Sequence, residues 1–151
     1  MTNGTNDQIE EAMLARFIAE RLKGVATFVH LRLGQPANYN RENPAPRAVR
    51  SLYLSTLAEA DLVTHTLDAA TIYEFTIWKP TAKLGQLLHY RQLLPATPGF
   101  EDVSEDRVKM VLVSGQYVAD VAQTARIQGI EFITYLPADI AVKVAERRGG
   151  A

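Results

Sequence analysis

The sequence contains no cysteine. That excludes disulfides, thiolate nucleophiles and cysteine-ligated zinc together. Histidine is scarce, and His30, His65 and His89 lack the spacing of a metal-binding motif, so they read as ordinary surface or core residues. Charge of either sign is not in excess: 16 Lys and Arg face 17 Asp and Glu, for a net charge of −1. No global basic field therefore attracts nucleic acid, although a local basic groove is compatible with this balance. No apolar run approaches the roughly 18 residues of a membrane span. The polar start, MTNGTNDQIEEAM, is unlike a signal peptide. The expected location is the cytoplasm, or the interior of a host cell. The serines have no GxSxG context. The glycines mark ends and turns rather than a phosphate-binding loop.

What is present is an ordinary globular composition, 47% hydrophobic and 22% charged, in a chain of 151 residues. That length suffices for a core, and residues 1–151 are expected to form a single domain. Asn6 or Asp7 is placed to cap a first helix running to about Lys23, with Leu14, Phe17, Ile18 and Leu22 on its inner face and Gly24 as its stop. Val25–Leu33 alternates as a strand, with His30 and Arg32 on one face. A loop rich in proline and asparagine follows, made locally basic by Arg41, Arg47 and Arg50. It is either a solvated loop or one that contacts phosphate. Ala48–Leu57 is open between strand and short helix.

Ala60–Leu67 and Ala70–Lys79 read as two strands joined too tightly for a crossover, hence an antiparallel hairpin. Thr81–Leu94 is a helix with Pro80 at its threshold. Arg107–Ser114 is a near-continuous apolar run, as a buried central strand requires. Tyr117–Gln128 is helical with Gly129 as its stop, Ile130–Leu136 is a strand, and Ala138–Arg148 a last helix. The strand, helix, strand order there implies a parallel pair. The fold class is α/β, a mixed central sheet with helices on its faces.

One stretch, DLVTHTLDAATIYEFTIWKPTAKLGQLLHY from Asp61 to Tyr90, holds polar residues whose spacing suggests a shared site. If the hairpin turns at Leu67 and Asp68, Asp61 lies directly opposite Glu74, with Cβ atoms about 5 Å apart on one face. A slip of one residue would separate them. Two carboxylates that close repel each other. A divalent cation such as magnesium relieves this, and it can polarise a phosphodiester; alternatively one carboxylate faces solvent or pairs with an arginine. On the helix, at about 100° per residue, Lys83, Gln86 and Tyr90 project along one line with Leu87 and Leu94. They either serve a site or lie at the wet edge of a leucine core. Trp78, beside the Glu74 face, reads as packing.

A strand bearing Asp61, a hairpin to a strand bearing Glu74-Phe75-Thr76, and a helix bearing Gln86-Leu87-Leu88-His89-Tyr90 resembles the PD-(D/E)XK nuclease superfamily, RecB-type branch. The phrase EFTIWKPTAKLGQLLHYRQLL also resembles small uncharacterised phage-encoded proteins of this type. The resemblance spans about residues 7–136. It implies a restriction-endonuclease-like α-β-β-β-α-β core and hydrolysis of DNA phosphodiesters. It also implies Mg2+ or Mn2+ held by Asp61 and Glu74, with Gln86 and Tyr90 on the substrate; Arg41 and Arg47 of the basic loop are the further candidates for substrate contact. The family's motif lysine, which orients the attacking water, falls at Thr76. Lys83 is the candidate to replace it; Lys79 falls on the opposite strand face. The family's first-helix acid corresponds to Glu10, Glu11 or Glu20. Thr76 also opens a second expectation, an inactive nuclease fold serving as a structural or adaptor component of a phage particle. The expected partners are DNA for an active nuclease, and other phage structural proteins or further copies of the chain otherwise. No membrane partner is expected.

Overall fold

The structure is a computed structural model that describes residues 3–34 and 57–149. The basic-loop candidates Arg41, Arg47 and Arg50, and nearly all of the ambiguous segment 48–57, lie outside the described residues. Nine elements follow in order among the described residues, besides two short 3-10 turns: α1 (Asn3–Arg21), β1 (Thr27–Arg32), β2 (Glu59–Thr66), β3 (Ala69–Thr76), α2 (Thr81–Leu93), β4 (Val108–Ser114), α3 (Ala119–Ile127), β5 (Ile130–Thr134) and α4 (Ala138–Gly149). This is the order read from the sequence. Helix α1 starts at Asn3, earlier than the expected cap at Asn6 or Asp7. It ends, as expected, just before Gly24, whose φ of 82° only glycine adopts freely.

The five strands form one mixed sheet in spatial order β1-β2-β3-β4-β5. Strands β1, β2 and β3 are antiparallel, whereas β3, β4 and β5 are parallel. Both parallel connections run through a helix, α2 and then α3, as parallel pairing demands. Strand β4 lies between two neighbours and is buried except at Lys109, which accounts for its apolar run.

The alternation of each strand sends its side chains into two cores. On one face Ile72, Met110 and Leu112 pack with Leu84 and Leu87 of α2 and Val121 and Ala125 of α3. On the other, Leu62, Phe75, Val111 and Val113 pack with Met13 and Phe17 of α1 and Ile140 and Val144 of α4. Phe17 stands edge-on to Tyr73, Phe75 and Tyr135, at 5.3–5.6 Å between ring centres, a geometry that adds to its burial. Trp78 lies past the end of β3 at the margin of this second core, with the Arg148 guanidinium 5.2 Å from its ring centre. Strand alternation no longer governs it, so it is not beside the Glu74 face. No helix among the described residues is long and apolar enough to cross a membrane.

Beyond the carboxyl ends of β3 and β4 the chain crosses itself closely. Gly115 donates its N–H to the Thr76 carbonyl at 2.9 Å. A Cβ at Gly115 would stand 2.7 Å from the Ile77 carbonyl oxygen. Because that obstacle is backbone, it cannot swing aside. Gly115→Ala is therefore expected to lower unfolding stability by about 1–3 kcal/mol, the range of an overpacked core, as measured by urea denaturation.

Candidate functional site

The hairpin turns at Leu67 and Asp68, and its ladder pairs Leu62 with Tyr73, Val63 with Ile72 and Thr66 with Ala69. That register continues to Asp61 opposite Glu74. The ladder stops one pair short of them, whereas β3 stays paired with β4 as far as Thr76 and Ser114, and β2 stays paired with β1 as far as Glu59 and Arg32. The sheet thus forks between β2 and β3. At the fork the two carboxylates take over the ladder's work. The Asp61 N–H donates to Glu74 Oε2 at 2.7 Å, and the Phe75 N–H donates to Asp61 Oδ2 at 2.9 Å. Each acid closes a donor that the parting strands would otherwise leave open.

The third member comes from α2. Leu84 and Leu87 anchor this helix in the core, which turns Lys83 toward the fork. Its Nζ lies 3.6 Å from Glu74 Oε1 and 4.0 Å from Asp61 Oδ2. Gln86 and Tyr90, on the same stripe, are half-buried, and Tyr90 packs against the core. Burial, followed by the charges of Glu74, Asp61 and Glu59, pushes the Tyr90 phenol up to about 12. It therefore remains a neutral hydrogen-bond donor across the physiological range.

Glu74 is the more deeply buried acid, 1% exposed. Burial and then the neighbouring Asp61 push its carboxyl up to about 8, against the opposing pull of the Asp61 N–H and Lys83. Asp61 is also raised, chiefly by burial, with Lys83 pulling the other way. One lysine does not compensate two buried carboxylates.

Beside Asp61, a cavity of about 240 Å³ is lined by Glu10, Glu11, Leu14, His30, Glu59, Asp61 and Phe75. Of the three first-helix acids read from the sequence, Glu10 and Glu11 reach this cavity. Glu20 does not: it accepts a hydrogen bond from the Tyr135 hydroxyl at 2.7 Å and sits 3.7 Å from Arg16. His30, read from the sequence as an ordinary residue, lies between Glu11 and Glu59 at 2.5 and 2.8 Å. The structure places it across from Asp61 in the β1–β2 register.

Thr76, at the motif-lysine position, is buried, and its hydroxyl accepts the Lys79 N–H at 2.9 Å. It braces the turn into α2. Lys79 itself is exposed.

For a divalent cation, the donor chemistry fits. Glu74 Oε1 and Asp61 Oδ1 stand outside the two backbone bonds, and hard carboxylate oxygens suit Mg2+ or Mn2+ once both acids are ionised. Among the described residues no three acidic or histidine side chains converge as a closed metal cluster. A cation here would keep several waters, as magnesium does.

The raised carboxyl has a measurable consequence. Glu74 holds its proton more tightly folded than unfolded, so its contribution favours folding below pH 4.5 and declines as pH rises from 4.5 to about 8. Glu74→Gln keeps an acceptor for the Asp61 N–H but carries no charge. In chelator, its melting temperature is expected to exceed that of the wild type by about 4 °C at pH 8.5. The gap should close by pH 5. Equal melting curves at both pH values would show that Glu74 is not held above its ordinary range.

No protein-family model matches the chain, and no curated protein does. Solved structures do. The chain is similar to a repair endonuclease from Pyrococcus abyssi, at 18% identity over 83% of this chain and 46% of that one, with a TM-score of 0.49. It is similar to the EndoMS-dsDNA2 complex, at 16% identity over 84% and 44%, with a TM-score of 0.48. It is also similar to a protein of unknown function, AF1548, at 11% identity over 94% and 66%, with a TM-score of 0.51. The chain spans about half to two thirds of the length of these structures. At such identities the likeness, carried by AF1548, is one of fold: a mixed α/β sheet with helices on its faces.

Proposed function

We propose that the protein is a metal-dependent DNA phosphodiesterase of PD-(D/E)XK type in which Lys83 replaces the motif lysine. The observation that supports this most is the fork itself. There Asp61 and Glu74, each bonded to the other strand's backbone, share the ammonium of Lys83 within 4.0 Å. Asp61 and Glu74 would hold the cation. When bound, Mg2+ or Mn2+ supplies a Lewis acid for the phosphodiester and an activated water. Lys83 would orient a water and offset charge on the phosphate. Gln86 offers an amide and Tyr90 a neutral hydroxyl to the substrate strand, and Arg41 and Arg47 are proposed to contact its phosphates.

Relocating the lysine from strand to helix is consistent with the local chemistry. A lysine at position 76 would give up the hydroxyl that braces the turn to Lys79. Lys83 reaches the same two carboxylates from the other side of that turn.

A second reading has its own observation. The Thr76 hydroxyl is committed to the backbone and adds no cation to the site. That favours a fold retained without chemistry, in a structural or adaptor component of a phage particle that binds other particle proteins or further copies of itself.

Incubation of linear and circular DNA with the protein and Mg2+ or Mn2+ decides between them. The first reading expects cleavage by the wild type. It expects a loss of about 100-fold or more in Asp61→Ala and about 100- to 1,000-fold in Lys83→Ala, the scale of removing one charge-stabilising group. No cleavage by the wild type on either substrate, or equal cleavage by Asp61→Ala, overturns it.

A further inference from the structure

The fork leaves one edge of the sheet without a role. Strand β5 is bounded by β4 on one side and has no strand beyond it among the described residues. The Tyr135 N–H donates to the Ser114 carbonyl at the end of β4 at 2.9 Å. Backbone groups alternate sides along a strand. Glu131 and Ile133 therefore also turn theirs toward β4, and Ile130, Phe132 and Thr134 each present an N–H and a C=O outward. No proline, lysine or bulge blunts that edge: the pairing with β4 runs unbroken from Met110 with Ile130 to Ser114 with Thr134. The strand at the other end of the sheet, β1, differs. It is interrupted at His30, whose φ of 53° is left-handed and where the pairing with β2 skips a position.

Beside this edge lies a groove. A cavity of about 570 Å³ opens between β5 and α3, with Tyr117, Ala122, Arg126, Ile130, Glu131 and Phe132 in its lining. Tyr117 is 66% exposed, and its ring stands edge-on to Phe132 at 6.0 Å between centres. The groove is thus rich in apolar surface and carries one cation and one anion, which favours neither a polyanion nor a polycation. Helix α3, seated on the sheet by Val121 and Ala125, carries Asp120 in its first turn and Arg126 in its last, both exposed.

We propose that β5 and α3 form the surface through which two copies of this chain associate. Strand β5 pairs antiparallel with its copy about a two-fold axis at Phe132, joining the two sheets into one. The outward groups select that register. In an antiparallel pair, residues that exchange hydrogen bonds lie directly opposite, so Phe132 meets Phe132 and Ile130 meets Thr134. The two Phe132 side chains then lie side by side on the α3 face, with each Tyr117 beside its own Phe132. On the other face Glu131 comes opposite Ile133, not opposite another Glu131. The two-fold also runs the two α3 helices antiparallel, which brings the Arg126 turn of each to the Asp120 turn of the other. A second copy therefore answers the charges of this surface as well as its backbone.

Sedimentation velocity on the full chain tests this, in chelator and without DNA. The wild type is expected at twice the 16.7 kDa chain mass. The measurement is made at about 100 μM, where a Kd of about 10 μM leaves most chains paired. Thr134→Pro removes an outward N–H and none that serves β4. It is expected to sediment as a monomer with an unchanged circular dichroism spectrum. Arg126→Glu and Asp120→Lys, both on exposed positions, keep the test open should the proline variant fail to fold. Each sets like charges together at two symmetry-related places and should weaken pairing about tenfold. Mixed in equal amounts, the two variants should pair with each other as the wild type does, because each then meets an opposite charge. A wild type that stays monomeric overturns the inference and assigns the edge to a strand of another protein. A folded Thr134→Pro that remains a dimer overturns it too, as does a mixture of charge variants that pairs no better than either alone. None of these measurements involves DNA or a metal, so the inference and the nuclease reading fail separately.

Discussion

Two hydrogen bonds, from the Asp61 N–H to Glu74 and from the Phe75 N–H to Asp61, are the constraint on which the rest of the site depends. A sheet that forks must leave backbone donors without strand partners. Buried, each would cost as much as a lost hydrogen bond. Here carboxylates fill the vacancy, and the charge they bring into the interior sets every other feature. It draws Lys83 across from α2, adds to the burial that lifts the carboxyl of Glu74 and the phenol of Tyr90, and leaves a donor pair suited to a hard cation. Structure and proposed chemistry thus use the same atoms. One oxygen of each acid is spent on the fold; the other oxygen of Glu74 faces Lys83, and Asp61 Oδ1 lies outside these contacts.

The remainder of the fold holds this fork in place. Helix α1 packs through Met13 and Phe17 on one face, and α2 through Leu84 and Leu87 on the other. Because these apolar anchors sit one to three residues from Glu10, Glu11, Lys83 and Gln86, the core fixes the angle at which each polar group meets the fork. The close crossing at Gly115 and Ile77 ties the two parallel strands together just beyond it.

Much of this was legible in the sequence, for reasons that differ by residue. The hairpin register could be read because a two-residue turn leaves one way to pair the strands, and that register places Asp61 opposite Glu74. Lys83, Gln86 and Tyr90 follow from helical geometry once Leu84 and Leu87 are known to face inward. The order of elements follows from strand and helix periods that seldom overlap. His30 was not legible. Its partner across the sheet depends on a β1–β2 pairing whose connection is long, so no turn fixes its register. Its left-handed φ is also invisible to alternation. Glu20 could not be separated from Glu10 and Glu11, because all three sit on one helix and the choice depends on which neighbour each meets. The hydroxyl of Thr76 reads as a missing lysine until its bond to the Lys79 N–H is seen.

The lysine of this site rides on a helix rather than on the strand that carries Glu74. A charge on a strand is held at a fixed place in the ladder. A charge on α2 moves with the helix's rotation, and a turn of one residue, about 100°, would carry the ammonium of Lys83 away from both acids. What keeps it there is apolar: Leu84 and Leu87 seated in the core. The electrostatics of the fork are therefore encoded in the shapes of leucines. Substitutions deep in that core, far from any charged atom, would act on the site as changes of potential.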